Sequence, residues 1–321
     1  MSETPAGFRT EPNTDVSTAK PAKTGPDFRG PDRQFGWMVI NRWTRPVLLT
    51  LASKLAPKLD TTGVTITEVT AGAGTVQVVT PKACTGDGAL LLIHGGGFVI
   101  GTNKDSLFLA VELAKQAGVP VFCPSYRLAP DHPFPAGLDD CHSGWTWLLD
   151  HASEHDVDPT KIVIGGVSAG GGHAASLAQR LHDEGGPQPA GQLLVYPMLD
   201  DRTAARRDLD KPRHRVWSNR NNLFGWSSYL GHAPGQPCAP YVSAARRDDL
   251  SGLPPAWIGV GGADLFLDED RDYTERMRAA GVDVTYVEVD GGIHAFDAAQ
   301  DSPLTKAFYA SASEFVRRLT N

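Results

Sequence analysis

A serine flanked by small residues stands out in the stretch Gly166-Val167-Ser168-Ala169-Gly170. The apolar run Ile162–Ile164 precedes it and predicts a strand, and a helix-like segment from Gly170 to Leu181 follows it. A sharp strand-turn-helix of this kind holds a hydroxyl above the end of a sheet, and the helix N-terminus favours developing negative charge. Ser168 is therefore a candidate nucleophile. The alternative is a glycine-rich turn that opens a helix and does no chemistry.

A second glycine-rich stretch, His94-Gly95-Gly96-Gly97, comes directly after the apolar run Ala89–Ile93. Consecutive glycines let backbone N–H groups crowd around a small anion without interference from Cβ atoms. An acyl-transfer enzyme needs such donors for the oxyanion of its tetrahedral intermediate. A turn that merely reverses the chain and a phosphate cradle are the alternatives. Because no GK[ST] or GxGxxG pattern follows, the phosphate interpretation is disfavoured.

A nucleophilic serine also needs a base and an acid that orients the base, in the chain order serine, acid, histidine. Of the ten histidines, His294 fits this order because it follows the last strand-like run. Asp264 follows the preceding strand-like run and is favoured over Asp268, which we expect to cap the next helix. The alternative for His294 is an ordinary solvated loop histidine.

The elements that must position these residues alternate along the chain. Strand-like runs separated by helix-like segments predict a mainly parallel sheet covered by helices on both faces, with the first two strands forming an antiparallel edge. The predicted strands are Val64–Val69, Thr75–Thr80, Ala89–Ile93, Val119–Phe122, Ile162–Ile164, Gln192–Tyr196, Ala256–Val260 and Val282–Val289. The predicted helices are Lys104–Ala117, Gly137–Ala152, Gly170–Leu181, Asp268–Ala280 and Pro303–Leu319.

Two regions break this rhythm. Met1–Gly30 is poor in large apolar residues, so we expect it to be ordered only where it touches another part of the chain. Gln34–Leu59 predicts a pair of short helices broken near Pro46. The interval Pro197–Pro255 is too long for a structureless loop and predicts an insertion with its own helices.

Composition narrows the possible partners. The net charge of −7 argues against nucleic acid, whose phosphates call for a basic surface. The longest aliphatic stretch is far too short to span a bilayer, and the first twelve residues do not resemble a signal peptide. The four cysteines form no CxxC pair and are expected to be buried thiols. We expect a soluble, cytoplasmic protein that inserts into no membrane.

The sequence resembles the hormone-sensitive-lipase-like branch of the α/β hydrolases, also called family IV esterases. The resemblance extends from about Gly63 to the C-terminus. It rests on five motifs in the same order and spacing: His94–Gly97, Tyr126–Pro130 followed by Asp131–Pro135, Ser168–Gly171, Asp264–Glu269 and His294–Phe296. The expected fold class is therefore α/β, of the α/β-hydrolase type, with a mostly parallel sheet and a helical cap.

The resemblance implies a role for each candidate residue. Ser168 would be the nucleophile, His294 the general base and then acid, and Asp264 the residue that fixes the imidazole tautomer. The oxyanion hole would be formed by the backbone N–H groups of Gly96, Gly97 and Ala169.

In that pattern His94 supports the glycine loop through hydrogen bonds rather than serving as the base. Three positions depart from the family. Val167 stands where an acidic residue is usual, Leu265 where proline is usual, and Ala295 where glycine is usual. None of them removes a catalytic residue, but Val167 removes a carboxylate next to the nucleophile.

The resemblance also implies a division of the chain. Residues 1–60 and an insertion at about 197–231 would form a cap over a catalytic domain of residues 61–321. The expected activity is that of a serine carboxylesterase acting on short- to medium-chain acyl esters, acetyl esters included, with no metal or organic cofactor. The expected partner is a small-molecule ester, and a homodimer is left open. The alternatives are a lactone or amide hydrolase with the same residues, and a non-catalytic small-molecule receptor.

Two groups of side chains in the expected cap keep more than one interpretation. The aromatic and sulfur-containing residues of the N-terminal segment could line an acyl pocket or form the buried face of a helix; they are Phe35, Trp37, Met38 and Trp43. The Arg-rich run Arg202–Arg220 is interleaved with aspartates and predicts an ion-paired surface rather than an anion site.

Overall fold

The computed structural model describes residues 5–11, 23–30, 39–52, 59–72, 74–210 and 214–321. Within them the chain forms a nine-stranded sheet in the order β1-β9-β8-β7-β6-β4-β5-β3-β2. The strands are β1 (Phe8–Arg9), β2 (Val64–Ala71), β3 (Gly74–Pro81), β4 (Ala89–Ile93), β5 (Val121–Pro124), β6 (Ile162–Val167), β7 (Gly191–Val195), β8 (Ala256–Gly261) and β9 (Val284–Val289).

The sheet is parallel in its middle and antiparallel at its edges. β2 and β3 form an antiparallel hairpin, and β3 pairs antiparallel with β5. From β5 through β4, β6, β7 and β8 to β9 every pairing is parallel. Every residue of β4 and of β7 is buried, as in strands covered on both faces. The predicted fold class, a mostly parallel sheet with an antiparallel edge, is confirmed.

Helices pack against this sheet and against each other. The longest helix, α8, packs on α2 and on β6 to β9, while α4 packs on α3 and on β6 and β7. The helices are α1 (Arg45–Ala52), α2 (Leu107–Ala117), α3 (Ala136–His151), α4 (Ala169–Glu184), α5 (Asp201–Ala205), α6 (Asn219–Leu230), α7 (Leu267–Ala279) and α8 (Pro303–Thr320). Within the described ranges, no helix combines the length and the apolar character needed to cross a membrane.

The described parts of the N-terminal region contact the rest of the chain. β1 adds to the sheet by antiparallel pairing with β9, and Phe28 is fully buried against Phe296. The predicted pair of short helices is described only in part: α1 begins at Arg45, next to Pro46, and residues 34–38 lie outside the described residues. Pro46 lies in the first turn of α1, where the missing N–H costs no helical hydrogen bond.

Of the four side chains of that segment that could line a pocket or a helix face, only one lies within the described residues. Phe35, Trp37 and Met38 lie outside the described residues. Trp43 is 73% exposed, with the guanidinium of Arg42 stacked over its ring, so it is not part of a buried helix face.

The long interval after β7 contains the helices α5 and α6, as predicted for an insertion with its own helices. The Arg-rich run is ion-paired within itself: Arg202 pairs with Asp200, and Arg206 with Asp208. Such exposed pairs contribute little to stability, which fits a solvated surface.

The cysteines are free thiols. Cys123 and Cys141 are buried, as expected, and burial raises the pKa of the Cys123 thiol to about 12. Cys84 is exposed, so the expectation of buried thiols is wrong for that residue.

Candidate active site

Ser168 lies in the turn between β6 and α4. Its φ of 55° and ψ of −118° are rare for a residue with a side chain and cost about 1–3 kcal/mol. The surrounding backbone holds this conformation: the Ser168 N–H donates to the carbonyl of Val195, and the Ser168 carbonyl accepts from Gly172 and Met198. The turn places Ser168 at the N-terminus of the 16-residue helix α4, where developing negative charge is favoured.

The two glycines of the turn are required by close backbone approaches. A Cβ added at Gly166 would overlap the carbonyl of Gly170. A Cβ added at Gly170 would overlap the carbonyls of Ile93 and His94, at the end of β4. The serine turn and the glycine loop after β4 therefore approach each other closely through backbone atoms.

His294 and Asp264 meet Ser168 in a chain of hydrogen bonds. His294 Nε2 lies 2.9 Å from Ser168 Oγ, and His294 Nδ1 lies 2.8 Å from Asp264 Oδ2. All three residues are buried. Because a carboxylate only accepts hydrogen bonds, Nδ1 carries the proton and Nε2 is free to accept the serine proton.

Asp264 is oriented by its own turn, whereas Asp268 takes no part in the hydrogen bonds that join Ser168, His294 and Asp264. The Phe266 N–H donates to Asp264 Oδ1 at 3.1 Å, which leaves Oδ2 for the imidazole. The side chain of Asp268 is 68% exposed. The expectation that Asp268 caps the following helix is wrong: α7 begins at Leu267, so Asp268 lies inside the first turn, and Phe266 holds the N-cap position.

The loop that carries His294, residues 290–299, is called the histidine loop below. The Gly292 N–H donates to Val289 as the chain leaves β9, and the Gly292 carbonyl accepts from Ala263, on the loop that carries Asp264. Ala295 has φ 57°, in the left-handed region. Glycine adopts this region without strain, which explains why glycine is usual at this position in the family that the sequence resembles. Ala295 adopts the same loop conformation with some backbone strain.

The glycine loop after β4 passes beside the nucleophile. A Cβ added at Gly95 would lie 3.3 Å from the Cβ of Ser168. The Gly96 carbonyl accepts hydrogen bonds from Val99 and Ile100 and so fixes the loop. Gly96 and Gly97 have φ of 119° and 58°. Within the part of the chain that the structure describes, the N–H groups of Gly96, Gly97 and Ala169 donate to no acceptor.

His94 supports this loop from below. Its Nδ1 lies 2.8 Å from the Gly95 carbonyl, and its ring stacks on Tyr126, whose hydroxyl donates to the His94 carbonyl. Burial lowers the pKa of His94 to about 4, so the imidazole is neutral near pH 7 and donates one hydrogen bond as a structural residue.

An indole from the insertion lies over the glycine loop. A Cβ added at Gly97 would overlap the six-membered ring of Trp217, and that ring system is centred 6.2 Å from the His294 imidazole. The Trp217 Nε1–H donates to Asn222 Oδ1 at 3.3 Å. The preceding residue, Val216, has φ 65°, a strained conformation for a β-branched side chain. The chain thus holds Trp217 over the glycine loop at an energetic cost.

Trp217 belongs to a second apolar cluster, separate from the core of the sheet. The cluster joins the N-terminal segment, the insertion and the residues next to Ser168; its fully or nearly fully buried members include Ile40, Phe98, Ala169, Trp217, Trp226, Tyr229 and Phe266. The Ile40 N–H donates to Asn221 Oδ1 of α6 at 3.0 Å. The Nε of Arg45 donates to the Val99 carbonyl at 2.7 Å. Both irregular regions of the sequence therefore meet above the glycine loop.

Comparison with known proteins identifies the family. A family model described as the α/β hydrolase fold matches residues 90–298, which is more than half of the chain. The chain is an α/β hydrolase.

This α/β hydrolase is similar to known ester hydrolases, one of which belongs to the bacterial hormone-sensitive lipase family. It is 35% identical to the carboxylic ester hydrolase LipN of Mycobacterium tuberculosis over 62% of its own length and 54% of LipN, so the aligned part spans about half of that relative. A bacterial heroin esterase superposes with a TM-score of 0.84 at 30% identity, covering 93% of this chain and 98% of that one. An esterase of the bacterial hormone-sensitive lipase family superposes with a TM-score of 0.78 at 29% identity, covering 92% and 99%.

Sequence reasoning missed three side chains around this α/β-hydrolase site. Trp217 lies over the glycine loop, Phe28 packs on Phe296 of the histidine loop, and Asp297, within that loop, accepts a hydrogen bond from Tyr196. No local signal marks them, because each reaches the site from a distant part of the chain or bonds to one.

Proposed function

We propose that the protein is a serine carboxylesterase that hydrolyses short- to medium-chain acyl esters, acetyl esters included, through an acyl-enzyme on Ser168. The observation that carries the proposal is the buried hydrogen-bonded chain of Ser168, His294 and Asp264, with both of its links below 3 Å. The likeness to carboxylic ester hydrolases supports the same reaction.

In the first half-reaction Ser168 Oγ attacks the ester carbonyl while His294 Nε2 takes the serine proton. The ionised Asp264 stabilises the imidazolium that forms. The free N–H groups of Gly96, Gly97 and Ala169 would bind the oxyanion of the tetrahedral intermediate. The intermediate collapses, the C–O bond to the alcohol breaks, and the alcohol leaves with the proton from His294.

In the second half-reaction water takes the place of the alcohol. His294 accepts a proton from water, the resulting hydroxide attacks the acyl carbonyl, and the acid is released as the proton returns to Ser168 Oγ. Every proton is handled by the imidazole, so this mechanism requires no cofactor.

The proposed substrate range follows from the wall above the glycine loop. The N-terminal segment and the insertion meet there, and we infer that they act together as a cap. Trp217 lies directly on Gly97, beside the N–H groups that would bind the oxyanion. We expect an indole in this place to obstruct a long acyl group more than a short one.

The test is hydrolysis of p-nitrophenyl acetate, butyrate, octanoate and palmitate by wild type, Ser168→Ala and Ser143→Ala. Ser143 lies exposed on α3 and serves as the matched control. We expect wild type and the control to favour the shorter esters, and Ser168→Ala to lose on the order of 10³-fold or more in kcat with its fold intact.

A serine-directed organophosphate separates the enzyme from a non-catalytic receptor. We expect mass spectrometry to show one adduct on Ser168 in the wild type and none in Ser168→Ala. A wild type that neither turns over any of the esters nor takes up the label contradicts the proposed function.

A further inference from the structure

The histidine loop contains a second carboxylate, three residues after His294. Asp297 Oδ1 accepts from the Tyr196 hydroxyl at 2.8 Å, and Asp297 Oδ2 accepts from the Tyr309 hydroxyl at 2.8 Å. Tyr196 directly follows β7, and Tyr309 belongs to α8. Asp297 thereby fastens the histidine loop to two other elements of the fold.

Asp297 has the hydrogen-bond pattern of an ionised carboxylate, since both of its oxygens accept from phenol hydroxyls. In the described part of the chain, no Arg or Lys forms an ion pair with it. Burial raises the pKa of Asp297, and the two tyrosine hydroxyls act in the opposite direction because they stabilise the charged form.

Tyr196 links this carboxylate to the imidazole. Its ring packs edge-on against His294 with ring centroids 4.9 Å apart, while its hydroxyl reaches past to Asp297. Tyr196 has φ 35°, an unusual conformation that points to a fixed position at the end of β7. The phenol therefore sets the distance between the sheet and the histidine loop and forms one wall of the imidazole site.

Asp297 also acts on the imidazole through its charge. The attraction between protonated His294 and Asp297 lowers the pKa of Asp297. A carboxylate charge on the same loop attracts an imidazolium by ordinary Coulomb interaction. Protonated His294 is the species that forms when Ser168 gives up its proton.

We propose that Asp297 is a positioning residue for the reaction: through Tyr196 and Tyr309 it holds His294 against Ser168, and its charge stabilises the imidazolium formed during catalysis. This inference rests on the proposed function. It assigns a role to Asp297, which is not one of the three residues Ser168, His294 and Asp264.

The other titratable groups around the imidazole come from separate elements. Asp264 follows β8, Ser168 precedes α4, and Tyr196 follows β7. His214, before α6, lies within range of the charges of Asp264 and of the exposed Asp268 on α7. All of these groups stay unchanged when Asp297 alone is replaced, so the replacement isolates its contribution.

The test compares Asp297→Asn with Asp301→Asn. Asp301 is exposed, four residues further along, and its replacement makes the same change in net charge. For Asp297→Asn we expect kcat on p-nitrophenyl acetate to fall about 10-fold with KM within about twofold. The acid limb of the kcat/KM profile should differ from that of the wild type, because the imidazolium has lost a neighbouring negative charge. Asp301→Asn should leave both quantities at the wild-type values.

A second variant separates the charge from the hydrogen bonds. Tyr309→Phe removes one hydrogen bond and keeps the carboxylate, so we expect a loss of about threefold in kcat and an acid limb at the wild-type pH. The same profiles are measured as rates of organophosphate labelling of Ser168, which require the base but no ester.

The outcomes distinguish the two proposals. An active wild type with an Asp297→Asn variant that loses only melting temperature, at unchanged kcat and acid limb, overturns the role of Asp297 alone. If Asp297→Asn fails to fold, Tyr309→Phe with wild-type kcat overturns it. A wild type that neither hydrolyses the esters nor reacts with the organophosphate overturns both proposals.

Discussion

The serine turn and the histidine loop meet at one hydrogen bond, yet they are built in different ways. The serine turn is held by backbone atoms of its own strand, helix and neighbouring strands, with glycines at the points of closest approach. The histidine loop is tied to distant segments instead: its backbone bonds to Gly7 and Gly25, and side chains from both ends of the chain, such as Phe28 and Tyr309, complete its support. The nucleophile is positioned locally, and the base is positioned by the whole fold.

This difference predicts how each half responds to mutation. A turn packed backbone to backbone tolerates no added atom, so its failures are steric. A loop held by distant side chains loses its geometry when one of those contacts is removed, even where its own sequence is intact. The following experiments sharpen or contradict that distinction.

The largest effect is expected at the orienting acid. Asp264→Asn keeps the shape of the side chain but removes the carboxylate that fixes the imidazole tautomer, so we expect kcat to fall by about 10³- to 10⁴-fold with little change in melting temperature. Steady-state kinetics and thermal unfolding measure the two quantities. Asp268→Asn is the matched control, since its side chain is exposed, and we expect a change below about twofold. The reverse ranking would mean that the wrong acid has been identified.

A smaller loss of activity, with a large loss of stability, is expected in the serine turn. Gly170→Ala forces a methyl group into the carbonyls of Ile93 and His94, which costs about 3 kcal/mol or more in the free energy of unfolding. Displacement of Ser168 should lower kcat about 100-fold. Gly30→Ala is the control, because no atom of the described residues lies within 4 Å of its added Cβ. Denaturant unfolding that showed equal stability for the two variants would argue against a sterically closed turn.

The smallest effect on activity is expected at a remote support of the histidine loop. Phe28→Ala removes the ring that packs edge-on against Phe296 at 5.3 Å, so we expect a loss of about 3–5 kcal/mol in stability and about 10-fold in kcat at a temperature where the variant is folded. Phe122→Ala empties a fully buried position in β5 and should match the loss of stability while keeping kcat. Equal kcat for both variants would show that Phe28 supports only the fold.

The same difference explains what could be predicted from the sequence. The alternation of strands and helices was predicted well because periodicity is local, and the serine turn and the glycine loop carry local signatures. The contact of Asp264 with His294 follows the predicted order of elements. The roles of Trp217, Tyr196 and Asp297 were not predicted, because hydrogen bonds and ring contacts across 100 residues leave no periodic trace. The capping role assigned to Asp268 failed because the N-cap position lies two residues earlier, at Phe266.

The pairing of β1 with β9 also has a consequence for the order of folding. The ion pair between Arg9 and Asp290 joins residues 281 positions apart, and the contact of Phe28 with Phe296 spans nearly as far. During synthesis the N-terminal contacts have nothing to bind until β9 and the histidine loop have emerged. Closing so long a loop follows the more local pairings of β2 to β8. An intermediate with most of its sheet formed would still lack a seated base, so hydrolytic competence should be acquired last.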